Sequence, residues 1–198
     1  MQTLLGHIQG TTPMTRIKKD SHNLTTLPLT ASQPSLLPDG SDQVLRHLTL
    51  GFAVLGWQLI DIRASFGKLL HLSPFQYVAL QAIARIDNNE PWTTRFLAKH
   101  FRVTNAYVSM EIRPLVQQGL ISSLANPDDK RVKLLSVTPK GNSLLTKLAP
   151  IQQQVNDRLF SQFNEARLLE QCRTIERMIE DAERAKKHLQ DVLSNRGF

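Results

Sequence analysis

The chain has 198 residues, 41% hydrophobic and 21% charged, with a formal charge of +7 and a pI near 9.9. That is enough apolar material for one sizeable core, or for one core plus an oligomeric interface, and it excludes a generically disordered chain. No apolar run reaches the ~18 residues of a membrane-spanning helix, the start lacks a signal-peptide pattern, and the single Cys172 excludes an internal disulfide or a cysteine-based metal site.

The expectation is therefore a cytoplasmic protein without a membrane partner, whose positive charge favours a polyanion. The charge is concentrated in the middle. Between Lys99 and Asn142 stand seven basic residues (Lys99, Arg102, Arg113, Lys130, Arg131, Lys133, Lys140) against Glu111, Asp128 and Asp129.

In chain order, residues 1–40 are rich in Thr, Ser, Pro and Gln without a sustained period and read as a flexible tail, in which Arg16, Lys18 and Lys19 are solvated or brush a nucleic-acid backbone. From Ser41 or Asp42, either a suitable cap, the pattern turns helical. Leu45, Leu48, Phe52, Leu55, Leu59, Ile62, Phe66 and Leu69 recur at steps of three and four, a seam of about four heptads. At the far end Leu144, Leu148, Ile151, Val155 and Leu159 mark a helix expected to bend or restart at Pro150. Leu168, Cys172, Ile175, Ile179, Ala182, Leu189 and Leu193 mark a last one. Residues 41–71 and 142–198 are thus expected to be dimerisation arms of a homodimer.

Between the arms, "SPFQYVALQAIARI" predicts a buried helix capped by Ser73. "TTRFLAKHF" predicts another, from a Thr93 or Thr94 cap, burying Phe96, Leu97 and Phe101. After a short link Thr104 caps "NAYVSMEIRPLVQQ", which Gly119 ends in a left-handed stop. Two short helices joined by a tight turn form a helix-turn-helix, and a hairpin of Leu120–Ala125 against Val132–Val137 adds a wing. The fold class is mainly α with a small β-hairpin wing: a winged helix-turn-helix over residues 72–141, flanked by dimerisation helices.

That order of pieces, with "LAKHFRVTNAYVSMEIRPLVQQGLI", "DDKR" at the wing tip and "LSVTPKG" leading into the next helix, resembles the MarR (multiple antibiotic resistance regulator) family. The likeness runs from Leu72 to Leu145 and covers about two thirds of the chain when the arms are counted. It implies homodimeric winged-helix proteins that bind double-stranded DNA, usually as repressors, often released by small aromatic or phenolic ligands or by thiol oxidation. In the family's Asp-x-Arg wing pattern, here Asp129-Lys130-Arg131, the Asp steadies the turn and the Arg reaches the minor groove.

The residues support such roles on physical grounds. A guanidinium on a hairpin tip suits a narrow, strongly negative minor groove, and an Asp readily holds a backbone N–H two residues on. An ordinary solvated hairpin loop is the alternative. On the helix from Thr104, Val108, Ile112, Leu115 and Val116 should face the core, leaving Ala106, Met110, Arg113 and Gln117 opposite. The expected DNA-binding set is Thr94, Thr104, Asn105, Ala106, Tyr107, Ser109, Arg113, Lys130, Arg131 and Lys133, with Asp129 positioning the wing; plain exposed surface is the alternative for each. Pro114 should bend this helix and concentrate contact in its first two turns.

A ligand pocket is expected near Trp57 and Arg63. Thr49, Gly56 and Arg63 follow at seven-residue steps beside the seam, and Arg63 could meet the carboxylate of a small aromatic effector. Close helix packing at Gly51 and Gly56, and an ion pair at Arg63, are the competing explanation. Cys172 is expected to be a buried structural thiol, because oxidation-sensing members of the family carry their cysteine in the first arm. The 6 histidines lack paired ligand spacing and there is no phosphate loop, so no enzyme, metal or cofactor is expected. The rival function is a winged-helix module that binds another protein through its arms.

Overall fold

A computed structural model describes residues 27–85 and 91–196. The basic residues Arg16, Lys18 and Lys19 of the expected tail lie outside the described residues, as does Ile86. The chain divides into two compact units with the boundary between Leu55 and Gly56.

In the first unit, residues 27–40 carry two short 3-10 turns, Pro34–Leu36 and Pro38–Gly40, where a tail was expected. The reason is a long-range attachment. Asp42 Oδ2 accepts the N–H and hydroxyl of Thr30, at 2.8 and 2.7 Å, and pairs with Arg46 at 3.0 Å. Arg46 in turn donates to the Pro28 carbonyl at 2.8 Å. Arg46 and Thr30 together hold the buried Asp42 carboxyl well below the usual carboxylate range. The carboxylate is therefore not a helix cap; Ser41 Oγ receives the Gln43 N–H instead, at 3.3 Å.

Helix α1 spans Gln43–Leu69. Only near its C-terminus does it bury residues, Phe66 and Gly67, while Leu48, Phe52 and Leu55 on the predicted seam stay exposed. Helix α2, Pro74–Ala84, starts from a complete capping box: Ser73 Oγ accepts the Gln76 N–H and Gln76 returns the bond to the Ser73 N–H. Helix α3, Thr94–Phe101, is capped by Thr93 and ends on Arg102 in the left-handed region, φ 57°. Helix α4, Asn105–Gln117, is capped by Thr104 and closes at Gly119, φ 68°, where the N–H groups of Gly119 and Leu120 reach back to the carbonyls of Val116 and Leu115. Pro114 does not end α4, and Pro150 does not interrupt α5, Pro139–Leu159; the restart expected there is absent.

Strands β1, Ile121–Ala125, and β2, Lys133–Val137, pair antiparallel in a register from Ile121↔Val137 to Ala125↔Lys133. Each starts one residue later than expected: Leu120 is consumed in closing α4, and Val132 in closing the hairpin turn, where its N–H donates to the Asp129 carbonyl. On its other edge β2 donates from Leu135 N–H to the Trp92 carbonyl at 2.8 Å, which ties the hairpin to the segment before α3. Thr138 caps α5 and donates its hydroxyl to the Gly119 carbonyl at 2.7 Å. A Cβ on Gly141 would lie 2.3 Å from the Leu120 oxygen, so only glycine lets α5 approach the end of α4 this closely.

The core of the second unit is made by Leu80, Leu97, Val108, Leu115, Ile121 and Leu148, all fully buried. Phe96 and Phe101, expected inside, are only partly buried around it. Among its described side chains, helix α6, Glu165–Arg196, buries none. Its Leu168, Ile175, Ile179, Leu189 and Leu193 are exposed, and so is Cys172. The expectation of a buried thiol fails for the single chain because nothing covers this face.

Candidate nucleic-acid interface

The amphipathic pattern of α4 fixes which residues point outward. Val108, Ile112 and Leu115 are buried, so the opposite side of the helix presents Asn105, Ala106, Met110 and Arg113 to solvent. The two flanks of that exposed side then face different neighbours.

The wing-side flank forms a cleft of about 550 Å³ with the start of α3 and the hairpin. It gathers Thr94, Ser109, Arg113, Arg131 and Lys133 from four elements, joined by Gln117 and Ser123, two residues outside the expected set. Gln117 was visible in the sequence on the outward side of α4. Ser123 could be found only once the register put it opposite Leu135. The cleft brings three permanent cations together with hydroxyl and amide groups, the mixture that binds phosphates and base edges.

The hairpin tip is held by its own polar groups. Asp129 Oδ1 accepts the Arg131 N–H at 3.0 Å, Asn126 Oδ1 accepts the Asp128 N–H at 3.0 Å, and the Asn126 N–H donates to the Val132 carbonyl at 2.8 Å. Asp129 thus holds the backbone of Arg131, a residue that lines the cleft. Lys130 is exposed at the tip and outside the cleft. Thr104 Oγ1 is engaged as a cap by the Tyr107 N–H at 3.2 Å, but its hydroxyl proton is free for an acceptor.

Tyr107 goes elsewhere. Its ring meets Phe75 edge-on at 4.9 Å, on the far flank of α4 from Ser109 and Arg113. Burial, with Glu111 nearby, pushes its phenol pKa up. There it lines a second cleft of about 260 Å³ together with Ile60, Arg63, Phe75 and Val103. Arg63 is thus set against an apolar hollow beside the helix-turn-helix. Trp57, expected in the same pocket, does not line it and is 65% exposed. Residues 57 and 63 are six apart, which at 3.6 residues per turn sets them about 120° apart around α1.

No helix among the described residues is long and apolar enough to cross a membrane, and no cluster of three or more His, Cys, Asp or Glu among them could hold a metal ion.

Residues 72–133 match the model of the MarR family. The uncharacterized HTH-type transcriptional regulator YdcH of Bacillus subtilis (strain 168) is 32% identical over 91 residues, which is 46% of this chain and 62% of the relative. Among solved structures, the transcriptional regulator BldR from Sulfolobus solfataricus superposes with a TM-score of 0.57 at 24% identity, over 69% of this chain and 96% of that one. The S. aureus MepR–DNA complex superposes with a TM-score of 0.55 at 19% identity, over 67% and 96%. At these identities the structural likeness establishes the fold. The helix-turn-helix and the first wing strand lie within the matched stretch: residues 72–133 are similar to the MarR family, and the fold is that of a winged helix.

Proposed function

We propose that the chain is a sequence-specific, double-stranded-DNA-binding transcriptional regulator that acts as a homodimeric repressor. The observation that carries the reading is the convergence of Arg113, Arg131 and Lys133 with Thr94 and Ser109 on one cleft between α4 and the wing. In this reading α4 enters a major groove with Asn105, Ala106 and Ser109 toward base edges, since Asn pairs with adenine and Ala meets a thymine methyl. The wing carries Arg131 into the flanking minor groove, with Lys130 on phosphates. Two such lobes in a dimer reach successive major grooves, about 34–36 Å apart. Dimerisation is supported by the exposed apolar residues of α6, which a single chain leaves uncovered.

Release by a small aromatic or phenolic effector follows from the second cleft. Apolar walls and the cation of Arg63 suit a flat aromatic carboxylate, and such a ligand would press on α4 through Tyr107.

The experiment is a mobility shift on mixed duplex fragments across a range of salt. A regulator of this kind selects particular fragments and loses affinity steeply as salt rises. A chain that binds no duplex at low salt, yet assembles with another protein through α1 and α6, is a protein-interaction module instead.

A further inference from the structure

We propose that Glu111 is a positioning residue for the recognition helix α4, acting through Ser73; the inference rests on the DNA-binding reading above. Glu111 is the only acidic residue of α4, and beside a polyanion a carboxylate is repulsive unless it does something else. Here it accepts a hydrogen bond from the Ser73 hydroxyl at 2.8 Å, across 38 positions of sequence, with both groups half-buried.

Ser73 is not an ordinary surface partner. The same oxygen accepts the Gln76 N–H at 3.1 Å as the cap of α2, so the cap fixes the direction in which its proton is offered. The positive end of the α2 dipole adds to the attraction for the Glu111 carboxylate. On its other side the Leu72–Ser73 backbone is in close contact with the end of α1. The Leu72 N–H donates to the Gly67 carbonyl at 2.8 Å, and a Cβ on Gly67 would lie 2.6 Å from the Leu72 oxygen and 3.2 Å from that of Ser73. One residue therefore joins the end of α1, the start of α2 and the middle of α4.

The link acts on top of core packing. Burial of Val108, Ile112 and Leu115 fixes which face of α4 points outward, while dispersion contacts, being non-directional, leave the last few degrees of rotation about the helix axis to directional bonds. A charge-assisted hydrogen bond is directional and fixes that rotation. Rotation decides whether Asn105, Ser109 and Arg113 face a groove together.

The test uses the full chain and two duplexes, one recovered by selection from a randomised pool and one scrambled version of it. Glu111→Ala should weaken binding to the selected duplex about tenfold, the scale of losing a hydrogen bond to a charged group. It should leave binding to the scrambled duplex unchanged or tighter, because a negative charge has gone. Ser73→Asp keeps the α2 cap but cannot donate to Glu111 and opposes it with a like charge, so it should lose specificity in the same way. Combining the two should cost less than the product of the separate losses. Ser73→Thr, which caps and donates, should match the parent. A general loss of structure would lower both affinities together, and if Glu111→Ala does not fold, Ser73→Asp alone decides. The proposal is overturned if the Glu111→Ala chain discriminates between the duplexes as well as the parent, or if the losses simply multiply. A parent that fails to discriminate would instead sink the DNA-binding reading and the positioning role with it.

Discussion

The Asp129 carboxylate holds the backbone N–H of Arg131 at 3.0 Å, within a turn closed by the Val132 N–H on the Asp129 carbonyl at 2.9 Å. A negative charge at the tip of a DNA-facing wing opposes binding by simple Coulomb repulsion, while presetting the turn favours it. The two effects have opposite signs for Asp129→Ala. Positioning should win, so the variant should bind specific DNA more weakly by about 1 kcal/mol. Equal or tighter binding at several salt concentrations would reduce Asp129 to a bystander.

A second expectation concerns pH. The His100 ring stands among Trp92, Phe96 and Phe101, with centroids at 5.4, 6.3 and 4.9 Å. Burial, then the charges of Arg102 and Arg85, lower its pKa from the ordinary histidine value. The folded chain thus holds this proton less tightly than the unfolded chain does. The stability tied to neutral His100 is complete above the ordinary value of about 6.5 and is lost as pH falls from there through the folded value. Denaturant midpoints measured from about pH 7.5 to about 5.5 should fall less steeply for His100→Gln than for the parent. Parallel profiles would mean that His100 is not part of the acid response.

The arms give a third. Ile179 is 46% exposed in the single chain, and α6 buries none of its described side chains. A dimer would cover that face, so Ile179→Asp or Leu59→Asp should dissociate or unfold it, at a cost of about 2 kcal/mol or more. Sedimentation is the check. A parent that stays monomeric at every concentration contradicts the homodimer.

The fourth separates two residues that the sequence linked. Because Arg63 lines the cleft with Tyr107 and Trp57 does not, release of DNA by small aromatic acids should be lost in Arg63→Ala, with affinity down about tenfold or more. Trp57→Ala should respond like the parent. A response that survives Arg63→Ala unchanged removes this cleft as the effector site, even in an inducible protein.

How far the sequence reads this molecule follows from the range of the forces involved. Ser73, Thr93 and Thr104 cap the expected helices because capping is settled within three residues. The Asp129 turn was legible for the same reason. Longer-range geometry was not. Asp42 looks like a cap until Thr30, twelve positions away, claims its carboxylate. Tyr107 was expected to flank the outward side of α4 as a DNA contact, and its flank follows from helical geometry, but the packing of its ring on Phe75 was not legible. Pro114 lies inside α4, which stays helical as far as Gln117. Cys172 shares a heptad position with residues that would be buried, and burial at such positions depends on a second chain.

The central claim is that the cleft between α4 and the wing binds DNA, with Arg131 in close groove contact. The most direct measurement is affinity for a selected duplex against salt concentration, for the parent and for Arg131→Ala. The account predicts a loss of about 1–3 kcal/mol and a salt dependence shallower by about one phosphate equivalent, with fold and dimer intact. Identical affinity and identical slope for the two proteins would contradict it.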